Sequence, residues 1–298
     1  MLFLYRINKV NLDLNKHIEQ QINKTLNFKG VYNWQFVGGG SINKTYKLSS
    51  NNHFFFVKIN AISVFKNGFK EEVLGLKFLE DHKTLTPKII AEGIFKNNCY
   101  LVLEYIECGI KTQNFWKNFA LQLANLHQQN SDYFGLNHNN FMGQLPQNNS
   151  FKKTFIEFFI ENRLQPQVSL AFNNNLISKQ LLLNFENLHL ALKNIIPKEN
   201  PCAVHGDLWS GNFICNSKQK AVLIDPAVYY GHREIDLAMT YLFGGFSSQF
   251  YQTYFEIYPL EKEFNFRKDI YNLYPLLIHL NLFGSSYLQD IKKIVYSF

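Results

Sequence analysis

The stretch AVHGDLWSGNF, residues 203–213, says most about the fold of this chain. It has His205 two positions before Asp207, Asn212 five positions after that aspartate, and a glycine on each side of Trp209. Such a segment is either a polar turn between strands or a loop arranged around a reacting phosphate. A turn that serves only the fold has no need of an acid, an amide and an imidazole at these intervals, so the second interpretation is favoured.

The sequence around this stretch predicts a mainly helical region. Apolar residues recur at helical spacing from Glu234 to the C-terminus and in three earlier segments, 115–129, 151–164 and 177–192. AVLIDPA, residues 221–227, interrupts these helices and is typical of a strand that ends in Asp-Pro.

The N-terminal part of the chain is different. A helical spacing over 11–28 is followed by three short strand-like segments, WQFV, TYKL and HFFFVKIN. A helix over 69–81 and two strands within 88–106 come next. This order predicts an α+β chain of two lobes. Residues 1–106 form an N-terminal lobe with an antiparallel sheet and a helix, and residues 107–298 form a larger, mainly helical lobe.

The composition of the chain indicates its class, its partners and its location. The 298 residues are 46% hydrophobic and 18% charged, which is typical of a globular protein with a sizeable core. The net charge of +7 would allow contact with nucleic acid or acidic lipid. The basic residues are scattered, however, and a basic cleft for phosphorylated small molecules explains the excess positive charge equally well, so charge alone decides little. We expect no nucleic-acid partner. The four cysteines form no C-x-x-C pair. With no secretory signal pattern and no apolar run of the ~20 residues that cross a membrane, we expect a cytoplasmic protein without a membrane partner. Its oligomeric state has no signature in the sequence.

Five polar residues occur in an order that phosphoryl transfer requires. Lys58 lies in a predicted strand and would neutralise phosphates, while Glu72 in the following helix would hold that lysine. Asp207 would accept a hydroxyl proton, and Asn212 and Asp225 would bind Mg²⁺ through oxygen. Each piece is weak alone, since a strand lysine or a helix glutamate is usually solvated, but the combined order and spacing are specific.

The remaining candidates have plainer interpretations beside the functional one. The glycine run Gly38, Gly39 and Gly40 leaves backbone amides open to a triphosphate, yet it fits neither common phosphate-loop pattern and is otherwise a turn. We call residues 205–212 the catalytic loop. We expect His205 to hold this loop through hydrogen bonds to the backbone, and Asp236 to support it from the following helix. An indole at position 209 either packs in the core or stacks on a substrate sugar.

HGDLWSGN (205–212) and LIDPAVYYGHREIDLAM (223–239) resemble the fructosamine-3-kinase family, also called ketosamine-3-kinases. These are relatives of aminoglycoside phosphotransferases with a protein-kinase-like fold. The resemblance extends from about residue 37 to 287 and includes five further segments, namely GGGSINKTYKL, FFVKIN, LVLEYI, FGLNHNNFMGQLPQNN and LFGGFSSQFYQTY.

The resemblance implies an ATP- and Mg²⁺-dependent kinase that phosphorylates the 3-hydroxyl of a ketosamine, either a small molecule or a glycated amine or protein. The 3-phosphate is unstable and frees the amine, so the family is regarded as a deglycation system.

The same resemblance assigns roles to the five polar residues. Asp207 corresponds to the base, Asn212 and Asp225 to the metal ligands, and Lys58 to the phosphate-binding lysine. It favours Glu72 over the preceding glutamate as the partner of the lysine, on the family's spacing.

The resemblance also covers the remaining nucleotide contacts. It places Ser41 with the three glycines, and it makes Glu104, Tyr105 and Ile106 the segment whose backbone binds adenine.

Two other functions stay open from the sequence. A kinase of the same fold could act on an aminoglycoside or a choline-like amine, although an aminoglycoside site should be rich in acidic side chains, and the C-terminal half offers mostly aromatic and amide residues. A nucleotide-binding protein without activity should lack a phosphate- or metal-binding residue, and none is missing.

Overall fold

A computed structural model of the chain describes residues 2–38, 43–65 and 67–298, and of residues 2–11 only the backbone. The chain forms two compact units. The first contains Met1–Leu74 and Thr86–Glu107, and the second contains Gly75–Leu85 and Cys108–Phe298. The segment from Gly75 to Leu85 therefore belongs to the second unit, whereas the sequence places it in an unbroken N-terminal lobe.

The predicted order of three strands, a helix and two strands is present, and a long N-terminal helix precedes it. The elements are α1 (Leu2–Leu26), β1 (Asn33–Val37), β2 (Lys44–Ser50), β3 (His53–Ala61), α2 (Lys70–Asp81), β4 (Ile89–Phe95) and β5 (Asn98–Glu104). The five strands form one antiparallel sheet in the order β1-β2-β3-β5-β4.

Helix α1 covers one face of this sheet. Leu14, Ile18 and Ile22 recur at the spacing that places side chains on one helix face, and all three are buried. They form one core with sheet residues such as Val57 and Val102. The apolar pattern over 11–28 thus predicted the helix correctly, although the helix begins earlier, at Leu2.

The second unit is mainly helical, as predicted. Its elements are α3 (Gln113–His127), β6 (Asn140–Met142), β7 (Leu145–Gln147), α4 (Phe155–Phe158), α5 (Gln165–Asn173), α6 (Lys179–Ile195), β8 (Cys202–Val204), β9 (Phe213–Cys215), β10 (Ala221–Leu223), β11 (Tyr229–Gly231), α7 (Glu234–Tyr241), α8 (Ser248–Ile257), α9 (Phe264–Phe283) and α10 (Leu288–Val295). In the part of the chain that the structure describes, no helix combines the length and the apolar character needed to span a bilayer.

The helix predicted over 151–164 is shorter and less regular than expected. Helix α4 is a single turn, and a π-helical turn from Phe159 to Leu164 joins it to α5. Pro166 has no N–H to donate to the carbonyl of Asn162 four residues earlier. The guanidinium of Arg163 bonds that carbonyl at 3.1 Å instead.

Two short antiparallel pairs frame the polar stretch. Strand β8 pairs with β11, and β9 pairs with β10. The loop from β8 to β9 therefore begins and ends beside the loop from β10 to β11. One loop contains residues 205–212 and the other contains residues 224–228, so the pairing brings the two sequence motifs together.

Candidate active site

The polar side chains of the β8–β9 loop are bonded to one another. Asn212 Nδ2 donates to the carboxylate Oδ2 of Asp207 and to the carbonyl oxygen of the same residue, both at 2.8 Å. Asn212 is buried and Asp207 is half-buried. Because these two bonds use the amide hydrogens, Asn212 has its Oδ1 oxygen left for a further partner.

Asp225 is the second residue of the neighbouring loop. Its backbone has φ +51°, a left-handed conformation that costs a non-glycine residue about 1–2 kcal/mol and that aspartate tolerates better than most. The N–H of Ile224, one residue earlier, donates to the carbonyl of Asn212 at 3.1 Å. The two loops are thus bonded side by side, and the exposed Asp225 lies at their shared end.

The electrostatics of the loops centre on Asp207. Burial raises the pKa of Asp207 to about 7, the hydrogen bond from Asn212 opposes the rise, and the charges of Asp225 and Asp236 add to it. The charges of two further carboxylates therefore act on Asp207. A carboxylate with a pKa near neutrality is suited to accept a proton at physiological pH.

Asp236 holds the catalytic loop through its backbone. Its buried carboxylate accepts hydrogen bonds from the N–H of His205 at 2.7 Å and from the N–H of Gly206 at 2.8 Å. It also contacts Nε2 of the buried His127 at 3.2 Å, and Nδ1 of that ring contacts the hydroxyl of Tyr254 at 2.7 Å. The sequence predicted Asp236 as a brace for this loop, and these bonds provide one.

His205 is bonded at both ring nitrogens. Nε2 lies 3.0 Å from the carbonyl of Ile224, and Nδ1 accepts from the N–H of Asp207 at 3.3 Å. A carbonyl can only accept, so these contacts assign the proton to Nε2. Burial lowers the pKa of His205. Both nitrogens of the ring are thus bonded to the backbone of the two loops, and the structural role of His205 remains a prediction.

Gly206 is required because the two loops touch. A Cβ placed on it would lie 2.1 Å from the carbonyl oxygen of Ala227, and its backbone has φ +81°. Both conditions exclude a side chain. In the same place the N–H of Ala227 donates to the carbonyl of His205 at 2.9 Å.

The predicted lysine pair forms in the first unit. Lys58 Nζ on β3 lies 2.7 Å from Glu72 Oε1 in the first turn of α2, and both side chains are largely buried. The contact between Lys58 and Glu72 that the family spacing predicts is therefore present. The amine is fixed by this contact, which is the arrangement that a phosphate-binding lysine requires.

The glycine run lies mostly outside the described residues. Gly38 follows β1, and a Cβ placed on it would meet no atom within 4 Å. Gly39, Gly40 and Ser41 lie outside the described part of the chain. Their contact with nucleotide remains a prediction.

The segment predicted to bind adenine follows β5. The N–H of Glu104 donates to the carbonyl of Lys88 at 2.8 Å, and the N–H of Tyr105 donates to the carbonyl of Phe54 at 3.2 Å. These two amides are therefore used within the first unit. An adenine contact through a backbone N–H would fall to Ile106.

Trp209 is half-buried at the outer side of the catalytic loop. Its ring meets that of Phe243 edge to face, with centroids 5.8 Å apart. A Cβ on Gly211 would lie 2.4 Å from the indole, so that glycine allows the ring to lie across the loop. The indole has exposed surface, and stacking on a substrate remains a prediction.

The loops suit a magnesium ion by the chemistry of their donors. Asn212 Oδ1 and the carboxylates of Asp207 and Asp225 are hard oxygen donors, the kind that Mg²⁺ prefers. Burial is the main cause of the raised pKa of Asp207, and the charges of Asp225 and Asp236 add to it, so a cation bound here would offset negative charge. Among residues 2–38, 43–65 and 67–298, no group of three or more His, Cys, Asp or Glu side chains could hold a metal ion. Metal binding by Asn212 and Asp225 remains a prediction.

Residues 14–298 match the family model described as fructosamine kinase. The chain belongs to this family. It is 40% identical over 266 residues to a probable ketoamine kinase of Enterococcus faecium, covering 88% of this chain and 94% of the relative. It is 34% identical over 266 residues to the chloroplastic protein-ribulosamine 3-kinase of Arabidopsis thaliana, covering 87% and 80%.

Solved structures agree with this assignment. The crystal structure of a putative fructosamine-3-kinase from Haemophilus somnus 129PT superposes with a TM-score of 0.84 at 30% identity, covering 94% of this chain and 96% of that one. Aminoglycoside phosphotransferases match at under 25% identity, which shows the fold alone. The predicted protein-kinase-like α+β fold is therefore confirmed.

Sequence reasoning missed a set of buried amides next to the β10–β11 loop. Asn140 and Gln147 are almost wholly buried and bond the backbone at positions 227 and 228. The segment that contains them, 134–149, was noted only as part of the resemblance. Its signal was the density of Asn and Gln, which is also typical of turns.

Proposed function

We propose that this chain is an ATP-dependent kinase that phosphorylates the 3-hydroxyl of a ketosamine. The observation that carries the proposal is the bonded pair of Asp207 and Asn212, with the charge of Asp225 acting on it. A base, an amide oxygen and a second carboxylate in adjoining loops are what phosphoryl transfer to a hydroxyl needs. The relatives named ketoamine kinase and ribulosamine 3-kinase support the same acceptor class.

The reaction balances with ATP and the acceptor alone. The acceptor oxygen forms a bond to the γ-phosphorus, and the bond from that phosphorus to the bridging oxygen of ADP breaks. The hydroxyl proton passes to Asp207, whose pKa near 7 lets it accept a proton at neutral pH. Asn212 Nδ2 holds the carboxylate through Oδ2, so the geometry of the base is set before the substrate arrives.

The remaining site residues bind and orient the nucleotide in this proposal. Lys58, held by Glu72 at 2.7 Å, would contact the non-transferred phosphates. Asn212 Oδ1 and Asp225 would hold Mg²⁺, which when bound neutralises phosphate charge. We assign residues 1–106 to nucleotide binding and residues 107–298 to catalysis and acceptor binding, as the sequence predicted.

The acceptor is a ketosamine sugar, carried by a free amine or by a protein, and we place the reaction in the cytoplasm. Trp209 would stack on the sugar or on its amine substituent. Phosphorylation at the 3-position makes the ketosamine unstable, so the proposed outcome is release of the amine. Aminoglycosides and choline are the alternative acceptors for a kinase of this fold.

A panel assay tests the proposal. The protein is mixed with ATP and Mg²⁺ and with a ribulosamine, a fructosamine, an aminoglycoside or choline, and the release of ADP is followed. We expect ADP release with the ketosamines and its loss in Asp207→Asn, with Asp290→Asn, an exposed carboxylate on α10, as the matched control. ADP release with the aminoglycoside or choline alone would assign the other acceptor class, and none with any acceptor would reject kinase activity.

A further inference from the structure

A buried cluster of amides lies behind the loop that contains Asp225. The hairpin β6–β7 pairs Asn140 with Gln147, and these residues are 4% and 0% exposed. Buried amides are costly unless their donors and acceptors are satisfied. Their partners therefore indicate what the amides are for.

The donors of both amides go to the backbone that follows Asp225. Gln147 Nε2 donates to the carbonyl of Ala227 at 3.0 Å, and Asn140 Nδ2 donates to the carbonyl of Val228 at 2.9 Å. Gln147 Nε2 also donates to Asn140 Oδ1 at 2.8 Å. Two consecutive carbonyls are thus fixed by two linked side chains.

Residues of the 205–212 loop also fix this backbone. The N–H of Ala227 donates to the carbonyl of His205 at 2.9 Å, and Ile224 is bonded through its N–H to Asn212 and through its carbonyl to the ring of His205. Asp225 and Pro226 therefore form a two-residue span between fixed ends. Within this span Asp225 has the left-handed φ of +51°.

Further contacts set the orientation of the amides. The hydroxyl of Tyr274 donates to Gln147 Oε1 at 2.9 Å, which directs the NH₂ group of that glutamine toward Ala227. Asn149 Nδ2 donates to Asn140 Oδ1 at 2.9 Å, and Arg163 donates to Asn149 Oδ1 at 2.7 Å. Neither amide can flip without breaking these bonds.

We infer that Asn140 and Gln147 are positioning residues for Asp225. They fix the carbonyls of Ala227 and Val228 and thereby hold the carboxylate where it can bind the metal of the nucleotide. The inference rests on the proposed function, in which Asp225 is a metal ligand. Residues that orient a ligand from behind change metal affinity or activity by about 10–100-fold when removed.

The test measures how much Mg²⁺ strengthens ADP binding, by calorimetry of the whole chain with and without Mg²⁺. Gln147→Met keeps the size of the side chain and removes its donors. Gln167→Met is the matched control, because Gln167 is likewise buried, 4% exposed against 0% for Gln147, but bonds Asn281. In Gln147→Met we expect the factor by which Mg²⁺ increases the affinity for ADP to be about tenfold or more smaller than in the wild type. The affinity for ADP without Mg²⁺ should stay within about twofold of the wild type. We expect Gln167→Met to leave both unchanged.

Asn140→Ser, which is too short to reach Val228, carries the test if Gln147→Met does not fold, and circular dichroism reports folding. If Mg²⁺ increases the affinity for ADP by the same factor in the wild type and in the folded variant, the inference is wrong. Asp225→Asn in the same titration separates it from the proposed function. If Asp225→Asn keeps the full strengthening, the ligand role itself is wrong, and if only the amide variants keep it, the inference alone is wrong.

Discussion

Replacement of Asp236 by Asn tests how far the catalytic loop depends on one buried carboxylate. The wild-type side chain accepts from the N–H groups of His205 and Gly206 at 2.7 and 2.8 Å and contacts His127 at 3.2 Å. The amide has the same shape but only one acceptor oxygen. One backbone N–H would then face an NH₂ group and lose its partner.

The size of the effect follows from these bonds. Hydrogen bonds to a charged group contribute about 1.5–3 kcal/mol, and an unsatisfied buried donor costs about 1–3 kcal/mol. We therefore expect Asp236→Asn to lower the free energy of unfolding by about 2–4 kcal/mol. We also expect kcat to fall by about tenfold to a hundredfold, because the loop begins two residues before Asp207 and small displacements of a base are costly.

Urea unfolding at pH 7 measures the first quantity, with the slope of the transition held equal for all variants. Asp290→Asn is the control, since this exposed carboxylate should change stability by less than about 0.5 kcal/mol. ATP turnover with a ketosamine measures the second. An Asp236→Asn protein within 0.5 kcal/mol of the wild type and within twofold in kcat would refute the reasoning.

Three other changes test the site. Asp207→Asn should lower turnover by orders of magnitude while ADP still binds, and normal turnover would reject Asp207 as the base. Because burial raises the folded-state pKa of this carboxyl from 3.8 to about 7, wild-type stability should fall as pH rises from about 4 to 7, by up to about 4 kcal/mol. Urea unfolding of wild type and Asp207→Asn at pH 4.5 and 8 in EDTA should show this loss in the wild type alone, and parallel curves would contradict it. Lys58→Met should raise the KM for ATP about tenfold or more and leave the fold intact, with an unchanged KM counting against a phosphate role. Trp209→Ala should raise the KM for the ketosamine but not for ATP. If the KM for the ketosamine is the same in the variant and in the wild type, the indole only packs and does not bind the substrate.

Local signals in the sequence predicted most of the fold. The helix expected over 69–81 is Lys70–Asp81, and the strand that contains Lys58 is His53–Ala61, because apolar spacing depends on neighbours in the chain. The helix expected over 151–164 is interrupted, because Pro166 acts through a missing N–H that apolar spacing does not register. Helix α1 also begins earlier than predicted, at Leu2 rather than at residue 11.

The sequence predicted His205 and Asp236 as supports of the loop, but it did not predict their partners or the buried amides Asn140 and Gln147. The spacing from Asp207 to Asn212 is short, so their bond could be expected from the stretch itself. The partners of Asp236 lie 30 and 31 residues away, and those of Gln147 and Asn140 lie 80 and 88 residues away. Contacts over such separations depend on tertiary packing, which no local pattern encodes.

The contact between Gly206 and the carbonyl of Ala227 matters for laboratory evolution of this enzyme. Even alanine is excluded at position 206, so we expect most variants at this position to be inactive. Residues 209 and 210, on the other side of the aspartate, are half-buried. In the proposed function Trp209 contacts the acceptor, so variation at these two positions is expected to change acceptor preference while position 206 is kept as glycine.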